Sequence, residues 1–250
     1  MSSDLINEAI KLVNKAKEHG ITLRVMGAIA VRLHLSLFSH ILNALHREIT
    51  DIDFIALSEQ RSQIIKFFID AGFELDREVL IASDRCVFQH PQKKYCIDIF
   101  FDKLDMCHRI NFRERLEIDY PTISLSDLLL EKLQIVKINE KDIKDVIALL
   151  REHALGEMDK ETININYICK ILANDWGFYY TVTENLKKVI SFLEAYDILS
   201  DQDKSDVKLK IEKLLEAIDR HPKSVAWKLR AKIGTSKKWY KEVEEKGEIF

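Results

Sequence analysis

The sequence predicts an α+β fold: a mixed β-sheet with flanking helices, followed by an all-helical C-terminal domain. Three observations carry that reading. Short apolar runs of strand type recur between Thr22 and Phe101. Segments with apolar residues at helical spacing lie between and after them. A polar stretch from Gly156 to Thr162 then marks a change in composition, beyond which almost no strand pattern remains. The expected division is residues 1–155, mixed α/β, and residues 156–250, helical.

In chain order, Asp4 to His19 repeats Leu5, Ala9, Leu12, Val13 and Ala16 at helical spacing, with Gly20 placed as its C-cap. Thr22 to Met26 reads as a short strand, and Ala28 to Leu35 as a helix that starts straight after Gly27. Asp51 to Leu57 is a buried-strand pattern, and Ser58 to Ala71 an amphipathic helix capped by Gly72. Phe73–Asp76, Arg85–Gln89 and Tyr95–Phe101 read as strands, with a further short one expected at Arg115–Ile118. Ser124 to Ile138, with Ser124 as N-cap, and Glu140 to His153 read as helices. Helical spacing returns around Tyr167–Ala173, Thr183–Tyr196, Lys204–Asp219 and Ser224–Ile233.

Composition narrows the function. The 250 residues include only 7 Gly and 3 Pro, against roughly 7% and 5% in average proteins. The scattered glycines match neither a dinucleotide-binding G-x-G-x-x-G nor a P-loop. A net charge of −3 excludes a globally basic nucleic-acid binder. No apolar run reaches the roughly 18 residues of a membrane span, and the opening Met1-Ser2-Ser3-Asp4 is unlike a signal peptide. Cys86, Cys96, Cys107 and Cys169 have no C-x-x-C spacing, so reduced core cysteines and a cytoplasmic location are expected. His34, His40 and His46 recur every six residues, which spreads them around a helix instead of pairing them as metal ligands.

The informative segment runs from Arg47 to Leu57. Asp51 and Asp53 stand two apart at the start of a strand, so both side chains leave one face. Two carboxylates held this close repel unless a cation lies between them, and hard oxygen donors of this kind suit Mg²⁺. Asp98 lies among Cys96, Ile97, Ile99 and Phe100 in an apolar strand, where a carboxylate needs a partner or a metal. Gly27 sits where a strand runs into a helix, a turn that points backbone N–H groups at an anion. A solvated acid pair at a strand end and a plain tight turn remain the alternatives for these features taken singly.

Together, Gly27, the pair Asp51–Asp53 and the later Asp98 resemble the nucleotidyltransferase superfamily that includes polymerase beta. Asp127-Leu128-Leu129-Leu130-Glu131-Lys132-Leu133 and Lys141-Asp142-Ile143-Lys144-Asp145-Val146 are similar to the later motifs of its abortive-infection toxin branch, and the antibiotic nucleotidyltransferases share the superfamily pattern. The resemblance implies a Mg²⁺-dependent transfer of a nucleotidyl group from a nucleoside triphosphate to a hydroxyl acceptor: a small molecule, RNA or protein. It implies metal binding, most simply of two Mg²⁺ ions, by Asp51, Asp53 and Asp98. It implies nucleotide contacts from Gly27, Ala28, Arg47, Lys132 and Asp142. Ala28 departs from the Gly-Gly or Gly-Ser motif, and Arg47-x-x-Thr50 is one residue off the toxin-branch spacing. A nucleotide- or RNA-binding module without turnover, or a toxin–antitoxin component, is the alternative on the same fold.

Arg220 to Lys241 contains eight cations and no acid, interleaved with Trp227, Trp239 and Tyr240. Such a run either binds RNA backbone and stacks bases, or turns Val225, Leu229 and Ile233 to the core and solvates its lysines. It reverses into Glu242, Glu244, Glu245 and Glu248. Asp175–Tyr180 is an aromatic cluster expected in core packing, with an aromatic wall for a base as the sharper reading.

Overall fold

The computed structural model describes residues 2–82, 84–92 and 95–243. Glu244, Glu245 and Glu248 lie outside them. The N-terminal part runs α1 (Ser2–Glu18), β1 (Leu23–Met26), α2 (Gly27–Leu33), α3 (Ser39–Ala44), β2 (Ile52–Ala56), a 3₁₀ turn, and α4 (Arg61–Asp70). It continues through β3 (Glu74–Leu75), α5 (Arg77–Ala82), β4 (Cys86–Gln89) and β5 (Cys96–Phe101) to the hairpin β6 (Lys103–Asp105) and β7 (Arg109–Asn111). Then come α6 (Leu125–Leu133), α7 (Glu140–Glu152), β8 (Ala154–Gly156), β9 (Thr162–Asn164), α8 (Ile165–Leu172), α9 (Trp176–Leu193), α10 (Asp201–Arg220) and α11 (Val225–Ile233).

The main sheet has the order β1-β2-β5-β4-β3. Only β2 and β5 are parallel; β1–β2, β5–β4 and β4–β3 are antiparallel. The parallel step needs a long crossover, and α4 through β4 supplies it. One sheet face carries Phe54 and Phe88, which meet Phe68 of α4 at ring distances of 6.1 and 4.9 Å. Period-two alternation then sends Met26, Asp53 and Asp98 to the other face.

Helix starts follow local chemistry. Ser124, Asn139, Asn164, Asp175 and Ser224 each accept a hydrogen bond from the N–H three residues on, and Ser200 forms a capping box with Asp203. Residues on both sides of Gly156, from Leu5 to Ile218, belong to one continuous apolar core. Arg115–Ile118, expected as a strand, is a turn. The reason is Arg115, whose guanidinium leaves the strand pattern to bond Asp127, Ser124 and Asp159. β8 and β9 form a small parallel pair at the composition change, and beyond β9 the described chain is helical. Among the described residues no helix is long and apolar enough to cross a membrane. Cys86, Cys107 and Cys169 are free, buried thiols.

The turn between β6 and β7 is clasped to α9 through His108. Its backbone N–H donates to Gln134 Oε1 at 3.0 Å, and its Nε2 lies 2.8 Å from Thr181 Oγ1. Its ring stacks on Phe178 at 5.0 Å, and Trp239 Nε1 donates to the same threonine oxygen. Burial pushes the imidazole down from 6.5 to about 4, against a weaker upward pull from Asp175. The fold therefore holds His108 neutral, while the unfolded chain takes up a proton below about 6.5. This contribution is complete above that pH and is lost as pH falls toward 4, on the order of 3 kcal/mol. Urea unfolding of wild type and His108→Gln should show a stability difference that shrinks between pH 7 and pH 4.5. A constant difference would refute the assignment.

Candidate active site

The site forms where β1 ends and β2 begins. Gly27, at φ +69°, turns the chain from β1 into α2. A Cβ there would lie 2.4 Å from Asp53 Oδ2. Glycine is thus required twice, by the left-handed backbone and by the close approach of the acid. Gly27→Ala should destabilise the protein by more than about 1 kcal/mol, measured by urea unfolding, with Gly20→Ala as the comparison. Gly20 shares the positive φ, but nothing lies within 4 Å of its Cβ position.

Asp53 is half-buried, and its β5 register partner is Asp98. Parallel registration places the two carboxylates side by side on one face. Asp51 stands exposed just before β2, two residues from Asp53. Burial first, then the neighbouring charges of Asp51, Asp98 and Glu131, push the Asp53 carboxyl well above the usual range, and Lys132 offsets them in part. Of the three acids singled out in the sequence, Asp53 and Asp98 are neighbours in register, and Asp51 is close enough for its charge to act on Asp53. Ala28 is buried in the first turn of α2.

Lys132 and Asp142 also meet, at 3.2 Å between Nζ and Oδ1, on the adjacent helices α6 and α7. The same ammonium lies 3.1 Å from Asp145 Oδ2 and 3.9 Å from Glu131 Oε1. Burial would lower the lysine, but Asp145, Asp142 and Glu131 outweigh it and hold it charged. Arg47 reaches this group from the far side. Its Nε and Nη2 donate to the two oxygens of Asp145 at 3.0 Å each. It therefore reaches Lys132 through Asp145, which is fully buried.

Two residues of this arrangement were not read from the sequence. Asp145 lies three residues after Asp142, one helical turn along the same side, and that spacing was the available signal. Glu131 precedes Lys132, and its Oε2 accepts a hydrogen bond from the Gly27 N–H at 3.2 Å. Burial raises its carboxyl to about 7, with Lys132 and the Gly27 N–H pulling the other way. Glu131 thus ties the glycine turn to the lysine cluster, a contact across 104 residues of chain that no local pattern announces.

The donor chemistry suits a hard divalent cation. Asp53 and Asp98 are paired carboxylates with Asp51 at their rim, and Mg²⁺ is typically held by one or two carboxylates plus substrate phosphates. Among the described residues no three His, Cys, Asp or Glu side chains are gathered as a ready-made metal cage. The residues fit an open site of the first kind and not a closed one.

The basic C-terminal run departs from the reading that turns its apolar stripe to the core. Val225, Leu229 and Ile233 are exposed on α11, at 75%, 59% and 48%. The two tryptophans, half-buried, pack against α9 instead. Trp227 packs on Tyr179 and Trp239 on Tyr180, at 5.1 Å each, and Arg230 lies 4.7 Å from the Trp176 ring. Gly177 lets the Trp239 backbone approach α9, since a Cβ there would meet Trp239 O at 2.4 Å. The aromatics at Asp175–Tyr180 accordingly pack the C-terminal segment onto α9.

No protein-family model matches the chain, and no curated protein matches its sequence. Among solved structures the chain is similar to the solution structure of the antibiotic-resistance factor ANT(2'')-Ia. That match has 12% identity and a TM-score of 0.43, and covers 69% of this chain and 96% of the other. It is also similar to the crystal structure of an antigenic nucleotidyltransferase-like protein from Paracoccidioides brasiliensis. Here identity is 14% and the TM-score 0.40, over 90% of this chain and 97% of that one.

Proposed function

We propose that this protein is a Mg²⁺-dependent nucleotidyltransferase that moves a nucleoside monophosphate from a nucleoside triphosphate to a hydroxyl acceptor. The observation that carries the reading is the β2–β5 register, which sets Asp53 beside Asp98 under the Gly27 turn, with Asp51 at the rim. A cluster of like charges with no chemical task would be a standing cost to the fold. A pair of Mg²⁺ ions bound at Asp51, Asp53 and Asp98 would neutralise the triphosphate and activate the acceptor hydroxyl.

The protein's own groups do the rest by position and charge. Lys132, held charged among carboxylates, faces the phosphate side, and Asp142 keeps its ammonium in place. Arg47 braces Asp145 and so fixes the lysine from behind. Gly27 and Ala28 form the turn nearest the phosphates. The Gly27 N–H is bonded to Glu131, so a phosphate oxygen must compete with that carboxylate. In the transfer, the acceptor oxygen forms a bond to the α-phosphorus while the bond from that phosphorus to the pyrophosphate oxygen breaks. Pyrophosphate leaves, and the acceptor proton passes toward Asp98.

The test is label transfer from each α-labelled nucleoside triphosphate in Mg²⁺, with a cell extract as the source of acceptor, comparing wild type with Asp53→Asn. Label on an acceptor with wild type only supports the reading. No transfer, or equal transfer by the variant, ends it.

A further inference from the structure

We infer that Arg85 is a resident counter-cation of the acid cluster, and that a divalent ion engages Asp98 by displacing it. The inference rests on the functional reading above. It starts from register. Val87 of β4 pairs with Asp98 of β5, and Arg85 stands two residues before Val87. Alternation therefore sends the arginine to the face that carries Asp98. Its Nη1 lies 3.6 Å from Asp98 Oδ2. That is ion-pair range, beyond the reach of a normal hydrogen bond.

The contact is built to be given up. The Arg85 side chain is 28% exposed, while that of Asp98 is 12% exposed. Its guanidinium also lies 5.9 Å from the ring of Phe100, two residues along β5 from Asp98. The arginine thus has an aromatic face to rest on when it leaves the carboxylate. A second cation near the acids among the described residues, Lys132, is held by Asp142 and Asp145 at 3.2 and 3.1 Å. Arg85 is the more exposed and more loosely held of the two. It balances the cluster while no metal is present and competes with an arriving ion for the same oxygens.

Mn²⁺ serves as the probe, with its affinity read by electron paramagnetic resonance or calorimetry, and thermal unfolding followed in EDTA and in Mn²⁺. Arg85→Gln should bind Mn²⁺ roughly three- to tenfold more tightly than wild type. It should melt lower in EDTA and gain more on adding Mn²⁺, and Arg85→Lys should restore values near wild type. Asp98→Asn should weaken Mn²⁺ binding. If wild type binds Mn²⁺ and Arg85→Gln binds it equally or more weakly, Arg85 is no counter-cation, while the functional reading stands. If neither binds Mn²⁺ although circular dichroism shows both folded, the metal reading falls and takes this inference with it.

Discussion

Asp53→Asn is expected to lower nucleotidyl transfer by about 10³-fold or more while making the metal-free protein harder to unfold. The two effects have one cause. Asp53 is half-buried, touches the space reserved by Gly27, and shares its surroundings with Asp51, Asp98 and Glu131. Burial and those charges all oppose its ionisation. An amide of the same shape removes the repulsion and the cost of a buried charge, so the variant should be more stable than wild type when no metal is present. The amide is a far poorer ligand for a hard cation, so positioning and charge neutralisation, the main sources of rate in phosphoryl chemistry, are lost together. Denaturant unfolding in EDTA, measured beside label transfer on the same preparation, checks both halves. A variant that is both inactive and destabilised would mark Asp53 as a structural acid. A variant that is more stable and fully active would leave the cluster without a task.

The sign of that prediction also bears on acid conditions. A group whose folded pKa is raised binds its proton more readily in the fold than in the unfolded chain. Asp53 and Glu131 therefore contribute stability as pH falls through their raised values, opposite to His108. Taking the difference between wild type and His108→Gln cancels these opposing contributions and leaves that of His108.

What was legible in the sequence had a local cause. Strand alternation suffices to place Asp53 on the face of Asp98, while Asp51 stands just before the strand, and Gly27 needs only the positive φ of a strand-to-helix turn. Asp98 stood out because a carboxylate among Ile97, Ile99 and Phe100 breaks an apolar run. Glu131 did not stand out, because its partner is the Gly27 amide, far away in sequence. Arg115 shows the same limit. Its residues read as a strand until the guanidinium meets Asp127 and Asp159. On α11 the failure was one of rotation. Spacing of four residues aligned Val225, Leu229 and Ile233 on one stripe, but could not say which side of the helix the body would cover. Trp227 and Arg230, with more surface to bury, took that side.

Asp145→Ala should cost about 3–5 kcal/mol, the largest stability loss expected from any single change in the site. Its carboxylate is fully buried and receives two bonds from Arg47 and an ion pair from Lys132. Both cations are themselves buried, with side chains 8% exposed. Removing the carboxylate strands the guanidinium, whose remaining side-chain donation is to the Glu48 carbonyl, while Lys132 retains Asp142 and Glu131. Arg47→Met should cost less than Asp145→Ala, because Asp145 would keep Lys132. The double change should cost less than the two single changes together, the signature of a pair sharing one buried interaction. Urea unfolding of the four proteins gives the cycle. Kinetics separates the structural role from the catalytic one. On the proposed function, at a temperature where Asp145→Ala is folded, the Michaelis constant for the triphosphate should rise more than kcat falls, because Lys132 loses its brace and the acids on β2 and β5 proposed to hold the metal are untouched. If Asp145→Ala is nearly neutral in stability, or lowers kcat alone, then the α6–α7 cluster is not the phosphate-side support assigned to it, and the nucleotide must be held elsewhere.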